Sequence, residues 1–231
     1  MKSPVLIAVV VIVVALLAYG LYQALVVAPT ERTMGDVQRI FYYHVPSAWT
    51  AFLLFFVNLL ASVWYLIKRT SSSDAAAVTT AEVGVVFCTV VLITGPIWAR
   101  PVWGIWWTWD MRLTSTLVLW LIYVSYLMLR RFSAGGQTPV LAATLAVFGF
   151  AVVPFVYLSI WFFRTQHPQP VIGGGGSIDP AMWRAVLWNW LAFSALAGLL
   201  CWLRYNLERK QRHLEETLAL EALMENAGGR K

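Results

Sequence analysis

Hydrophobic positions along this chain neither alternate nor recur at helical spacing; they run on. Six stretches carry no formal charge over their whole length: residues 4–28, 45–67, 83–99, 113–129, 139–163 and 185–203. A helix needs about 20 apolar residues to cross the hydrocarbon of a bilayer, so all six qualify and the third and fourth sit near the short limit. The pattern predicts an all-α integral membrane protein, a six-transmembrane helix bundle in a single domain over residues 1–203. Between the third and fourth stretches the chain stays apolar but is broken by Pro101 and Gly104. After the sixth stretch, residues 204–231 form a charged tail that is predicted to be helical through 226, with Leu207, Leu214 and Leu218 near one face. A solvated tail helix and a partner-binding one both fit that pattern.

Composition removes the soluble alternatives. The 231 residues are 60% hydrophobic and 12% charged, with a mean hydropathy of +0.69. Soluble domains are about half apolar and about a quarter charged. A net charge of +6 does not indicate nucleic acid here, because the bases follow the ends of the apolar stretches. Lys2, Lys68, Arg69, Arg130, Arg131, Arg204, Arg209, Lys210, Arg212, Arg230 and Lys231 fall on one side, eleven of the seventeen bases. By the positive-inside rule that side is cytoplasmic and both termini face it. The first stretch ends in small residues and a cleaved signal is the alternative, but its apolar run is long for a signal peptide. Cys88 and Cys201 lie deep in apolar runs with no CxxC or CxxCH, which argues against a disulfide, a zinc site or covalent haem attachment. The Gly-rich segment 173–177 reads as a flexible outer link.

Candidate chemistry gathers on the outer side. Of three histidines, His213 lies in the charged tail, whereas His44 opens the second span and His167 follows the fifth. Met34, Val37, Phe41 and His44 are spaced as one face of a helix. Between the two outer histidines in sequence, "PVWGIWWTWDMRLT" packs Trp103, Trp106, Trp107 and Trp109 into seven positions, followed by Asp110 and Arg112. A histidine on an apolar face is usually structural, and tryptophans gather at membrane interfaces anyway. The competing reading takes all these features together. Two imidazoles suit the axial positions of a haem iron and poorly suit zinc, which wants four donors. Flat indoles suit a flat macrocycle, and Arg100 and Arg112 suit its carboxylates. Asp110 would orient Arg112 or an indole N–H, or simply form an ion pair with Arg112.

The run Trp103–Thr114, "WGIWWTWDMRLT", resembles the signature WGxWWxWDxRLT of the WWD family of haem-handling membrane proteins. A short chain with six spans and one outer histidine on each side of the signature resembles the CcmC branch of that family. The resemblance implies a haem-transfer protein rather than an enzyme, in the bacterial inner membrane, with the WWD segment at 99–114 lying outside. It implies that haem b is bound through His44 and His167 against the tryptophan-rich segment. The haem would then pass to the periplasmic chaperone CcmE for cytochrome c biogenesis, with the ATPase CcmA, the membrane subunit CcmB and the small protein CcmD as further partners. Two other readings remain open: a haem lyase of the CcsA type, and a membrane scaffold without haem. The short outer connections oppose the first, and a haem absorption spectrum would decide the second.

Overall fold

In the computed structural model, which describes residues 4–133, 136–167 and 178–228, the described chain is helical apart from short connections. Six helical segments are long and apolar enough to cross a membrane. The first is α1, Pro4–Tyr22, whose last turn widens into a π-helical stretch, Gln23–Val27. A short 3-10 turn, Asp36–Ile40, leads into α2, Phe41–Lys68; then follow α3, Ser71–Trp103, and α4, Met111–Phe132. The fifth span is a pair, α5, Thr138–Phe150, and α6, Val152–Phe162. The chain ends in α7, Pro180–Gly228. Sequence-predicted Lys2, Arg230 and Lys231, and the Gly-rich segment 173–177, lie outside the described residues.

Three boundaries differ from the hydropathy pattern, each for a physical reason. Helix α3 begins at Ser71, well before residue 83, because Thr70 caps it and its two early acids are neutralised. Asp74 is paired with Arg130 and Arg212, and Glu82 with Arg204. A paired charge no longer ends a membrane helix. The fifth span breaks at Ala151, since Pro154 has no N–H for the carbonyl one turn earlier and its ring crowds that carbonyl. The sixth span and the tail are one helix of 49 residues, held at the tail by Arg204–Glu208 and Arg212–Glu208 pairs at i,i+4 spacing.

Side chains of α2 through α7 form the main core, with Phe55 stacked on Tyr123 at 3.8 Å between ring centres. Gly84 lets α3 approach α2 closely, because a Cβ there would sit 2.7 Å from the Phe55 ring. Helix α1 packs on α7, where Asn189 donates to the Gly20 carbonyl at 2.9 Å. The rest of α1 presents Val11, Ile12 and Val14 outward, as a lipid-facing helix does.

Candidate functional site

Where α2 begins and α3 ends, the helices splay around a cavity with about 1110 Å³ of empty space, part of it open to solvent. Its walls are apolar, with Trp49 and Phe52 from α2 and Trp98, Val102 and Trp103 from α3. Trp107 closes one side from the α3–α4 connection. A few polar groups converge on this lining: His44, Arg112, Tyr157 and His167. An apolar pocket with a few convergent polar groups is the usual form of a small-molecule site.

His44 lies in the first turn of α2 and is buried. Its Nδ1 meets the Thr94 hydroxyl of α3 at 2.9 Å. That hydroxyl also donates back to the Val90 carbonyl at 2.7 Å. With its single proton so committed, Thr94 accepts from Nδ1–H, which leaves the lone pair of His44 on Nε2. Trp98 meets the imidazole edge-on, at 5.9 Å between ring centres. Gly95, next to Thr94 in α3, faces the same imidazole, and a Cβ there would sit in ordinary contact, 3.5 Å from Cε1. Met34 also lines the cavity, though from a turn closed by Glu31 and Gly35 rather than from the helical face its spacing predicted.

His167 reaches the same cavity from the segment after α6. So the two histidines that the sequence placed on separate connections line one pocket. Arg112 joins them from the first turn of α4; its Nη1 is buried without a hydrogen-bond partner. The indole nitrogens of Trp98 and Trp107 are buried without a partner too. Other buried polar atoms of the bundle also lack a protein partner, among them the Tyr123 and Tyr126 hydroxyls, but these three donors share one cavity. Together they suit a flat ligand with acceptor groups on its edge, which is how haem presents its carboxylates.

The other predicted residues fall elsewhere. Trp106 and Trp109 are 60% and 75% exposed and do not line the cavity; Trp109 instead packs edge-on against Trp107. Arg100 turns to the Gly104 carbonyl and closes the end of α3. Asp110 makes no ion pair with Arg112. Its Oδ1 caps α4 by accepting the backbone N–H of Arg112 and of Leu113, both at 3.0 Å. Its Oδ2 accepts from the hydroxyls of Thr108 and Thr165. Sequence reasoning missed Trp98, Thr94 and Tyr157, which look like ordinary span residues. Trp49, a lone tryptophan that its type alone would make an interface anchor, lines the cavity too. A signal was available at 94–98, where Thr, Gly and Trp interrupt an otherwise aliphatic run.

The described chain is thus an all-helical, membrane-spanning bundle with a Trp-lined, histidine-bearing cavity at one end. The chain belongs to the Heme exporter protein C family, whose model matches residues 1–219. It is 36% identical over 186 residues to the Heme exporter protein C of Bradyrhizobium diazoefficiens, covering 79% of this chain and 70% of that one. It is 33% identical to the Heme exporter protein C of Escherichia coli K12, over 77% of this chain and 72% of that one. A putative ccmC-like mitochondrial protein of cytochrome c biosynthesis in Marchantia polymorpha is 32% identical, over 80% and 79%. Membership carries a role in haem delivery for cytochrome c maturation, in a multi-pass membrane protein.

Proposed function

We propose that this protein holds haem as cargo between His44 and His167 and passes it to a periplasmic haem chaperone of the CcmE type. One observation carries the reading: both histidines, from α2 and from the segment after α6, line a single cavity with Arg112 and two of the four signature tryptophans. His44 offers Nε2 to iron from one side and His167 coordinates from the other. Trp103 and Trp107 flank the macrocycle, while the unpartnered Arg112 Nη1 and indole N–H groups receive its carboxylates. Those donors fit haem b, whose carboxylates need partners inside an apolar wall. Trp106 and Trp109, facing outward beside the mouth, are the surface on which the chaperone approaches.

The cavity end faces the periplasm and both termini face the cytoplasm of the bacterial inner membrane, as the distribution of bases supports. Residues 1–203 act as one haem-handling unit with 99–114 at its outer face. The further partners are the ATPase CcmA, the membrane subunit CcmB and the small protein CcmD. By this reading the chain is a carrier rather than an enzyme: it presents haem to the chaperone, to which the haem becomes covalently attached, and promotes that attachment by positioning.

The test is an absorption spectrum of the purified protein with its variants. Wild type should carry one low-spin haem. His44→Ala and His167→Ala should lose haem or shift the Soret and visible bands, and His213→Ala should match wild type. Normal spectra for both cavity variants would end the bis-histidine reading.

A further inference from the structure

Asp110 belongs to the family signature, yet the geometry gives it a different task from its neighbours. Each carboxylate oxygen is used twice. Oδ1 takes the two backbone N–H groups that open α4, and Oδ2 takes the Thr108 hydroxyl at 3.1 Å and the Thr165 hydroxyl at 2.9 Å. A carboxylate offers about four acceptor sites, so this one has none left for a ligand. It would also repel the carboxylates of haem. Thr165 lies 55 residues further along the chain. Having donated its proton to Asp110, its oxygen accepts from the backbone N–H of His167 at 3.0 Å.

We infer that Asp110 and Thr165 form a clip that positions His167 over the cavity, and that neither residue touches the haem. The inference deepens the proposed function and rests on its assignment of His167 as a ligand. The start of α4 is fixed in the bundle and carries Arg112 into the cavity. Asp110 caps that same turn, so the clip fixes His167 relative to Arg112 and, across the cavity, to His44. His167 itself lies outside any regular element, beyond the end of α6 at Phe162. A ligand on an irregular segment needs such a tie, because its ordering otherwise opposes binding. The hydroxyl acts as donor and acceptor at once, which strengthens both bonds.

Four variants test the clip on the full-length protein loaded with haem, read by absorption and electron paramagnetic resonance. Thr165→Val keeps the shape and loses both hydrogen bonds; Thr165→Ser keeps both. Asp110→Asn retains a good N-cap for α4 but presents an N–H₂ where the Thr165 hydroxyl needs an acceptor. A hydrogen bond to a charged group is worth about 1.5–3 kcal/mol, so the fraction with His167 ligated should fall about ten- to a hundredfold. High-spin haem should therefore appear in Thr165→Val and in Asp110→Asn. Thr165→Ser should stay low-spin, and the double variant Asp110→Asn/Thr165→Val should be no worse than either single one. Low-spin spectra in Thr165→Val, alongside an altered His167→Ala, would overturn the clip and leave the ligand standing. Additive losses in the double variant would overturn it too. An unaltered His167→Ala would instead remove the ligand assignment on which the clip depends.

Discussion

At one end of the bundle Asp74, 2% exposed, is gripped by Arg130 at 2.5 Å and by Arg212 at 2.8 Å. Glu208 holds Arg212 and Arg204, and Arg204 holds Glu82, so helices α3, α4 and α7 are laced together. At the other end Arg112 is drawn into the bundle with its Nη1 unpartnered, beside two indole nitrogens in the same state. The same residue type thus serves two purposes within one helix, α4. At its last turn Arg130 completes a closed network that fixes the tail. At its first turn Arg112 keeps a buried donor without a protein partner at the cavity wall. Burying an unmet donor costs stability, and such costs concentrate at functional sites.

The sharpest way to break this contrast is to remove Asp74. Asp74→Leu strands the Arg130 guanidinium and leaves Arg212 with Glu208 alone as its carboxylate, and losing one partner of a buried pair costs about 3–5 kcal/mol. The thermal midpoint in detergent should fall steeply, and the tail beyond Leu203 should become sensitive to protease. Protein that stays folded should keep its haem spectrum. A normal midpoint would mean that the network does not hold α7.

Arg112→Leu should do the reverse. Its unpaired donor leaves little to lose, so the haem-free protein should melt at or above the wild-type temperature. Haem retention should fall by the worth of a charged hydrogen bond, about 1.5–3 kcal/mol or ten- to a hundredfold. Delivery to the chaperone should suffer at least as much as for any single Trp change. Normal haem content in this variant would put the carboxylates elsewhere.

Thr94→Val comes next in size. It removes the acceptor that sets the proton on His44 Nδ1, and a neutral hydrogen bond is worth about 0.5–1.5 kcal/mol. Haem retention should drop a few-fold and the spectrum should show a weakened axial ligand. Thr94→Ser should restore both. If Ser behaves like Val, the methyl group rather than the hydroxyl matters there.

The sequence carried the spans well and the site in part. Six apolar runs without charge leave a chain few options, and the two histidines stood out because little else on the outer side could bind iron. The start of α3 was hidden because Asp74 reads as an interruption until Arg130 and Arg212, 56 and 138 residues away, are seen to neutralise it. The Asp110–Thr165 contact was hidden for the same reason: a hydroxyl beyond the fifth span carries no mark of its distant partner. Trp98 and Trp49 looked like membrane filler because residue type alone does not reveal which side of a helix faces a cavity. The signature, for its part, drew attention to four tryptophans equally, although the chain turns two inward and two outward.

That division gives the smallest and most discriminating prediction. Trp107 lines the cavity and its buried Nε1 has no partner, whereas Trp106 is 60% exposed and lies off the lining. Trp107→Phe keeps an aromatic face but deletes one of three donors to the haem carboxylates; with Arg112 Nη1 and the Trp98 N–H still in place, haem retention should fall about two- to fivefold, below the range for a lone hydrogen bond to a charged group. Trp106→Phe should leave haem content unchanged, since Phe suits an interface nearly as well. If Trp106 serves the approach of the chaperone instead, the same variant should carry haem normally yet load the chaperone less. Trp109 is a poorer control, because it braces Trp107 edge-on at 5.8 Å between ring centres and its loss would move the inner ring. Measuring bound haem and covalently loaded chaperone on each variant at matched expression separates the two faces. Equal haem loss in Trp106→Phe and Trp107→Phe would mean that the cavity is not where the tryptophans meet the cargo.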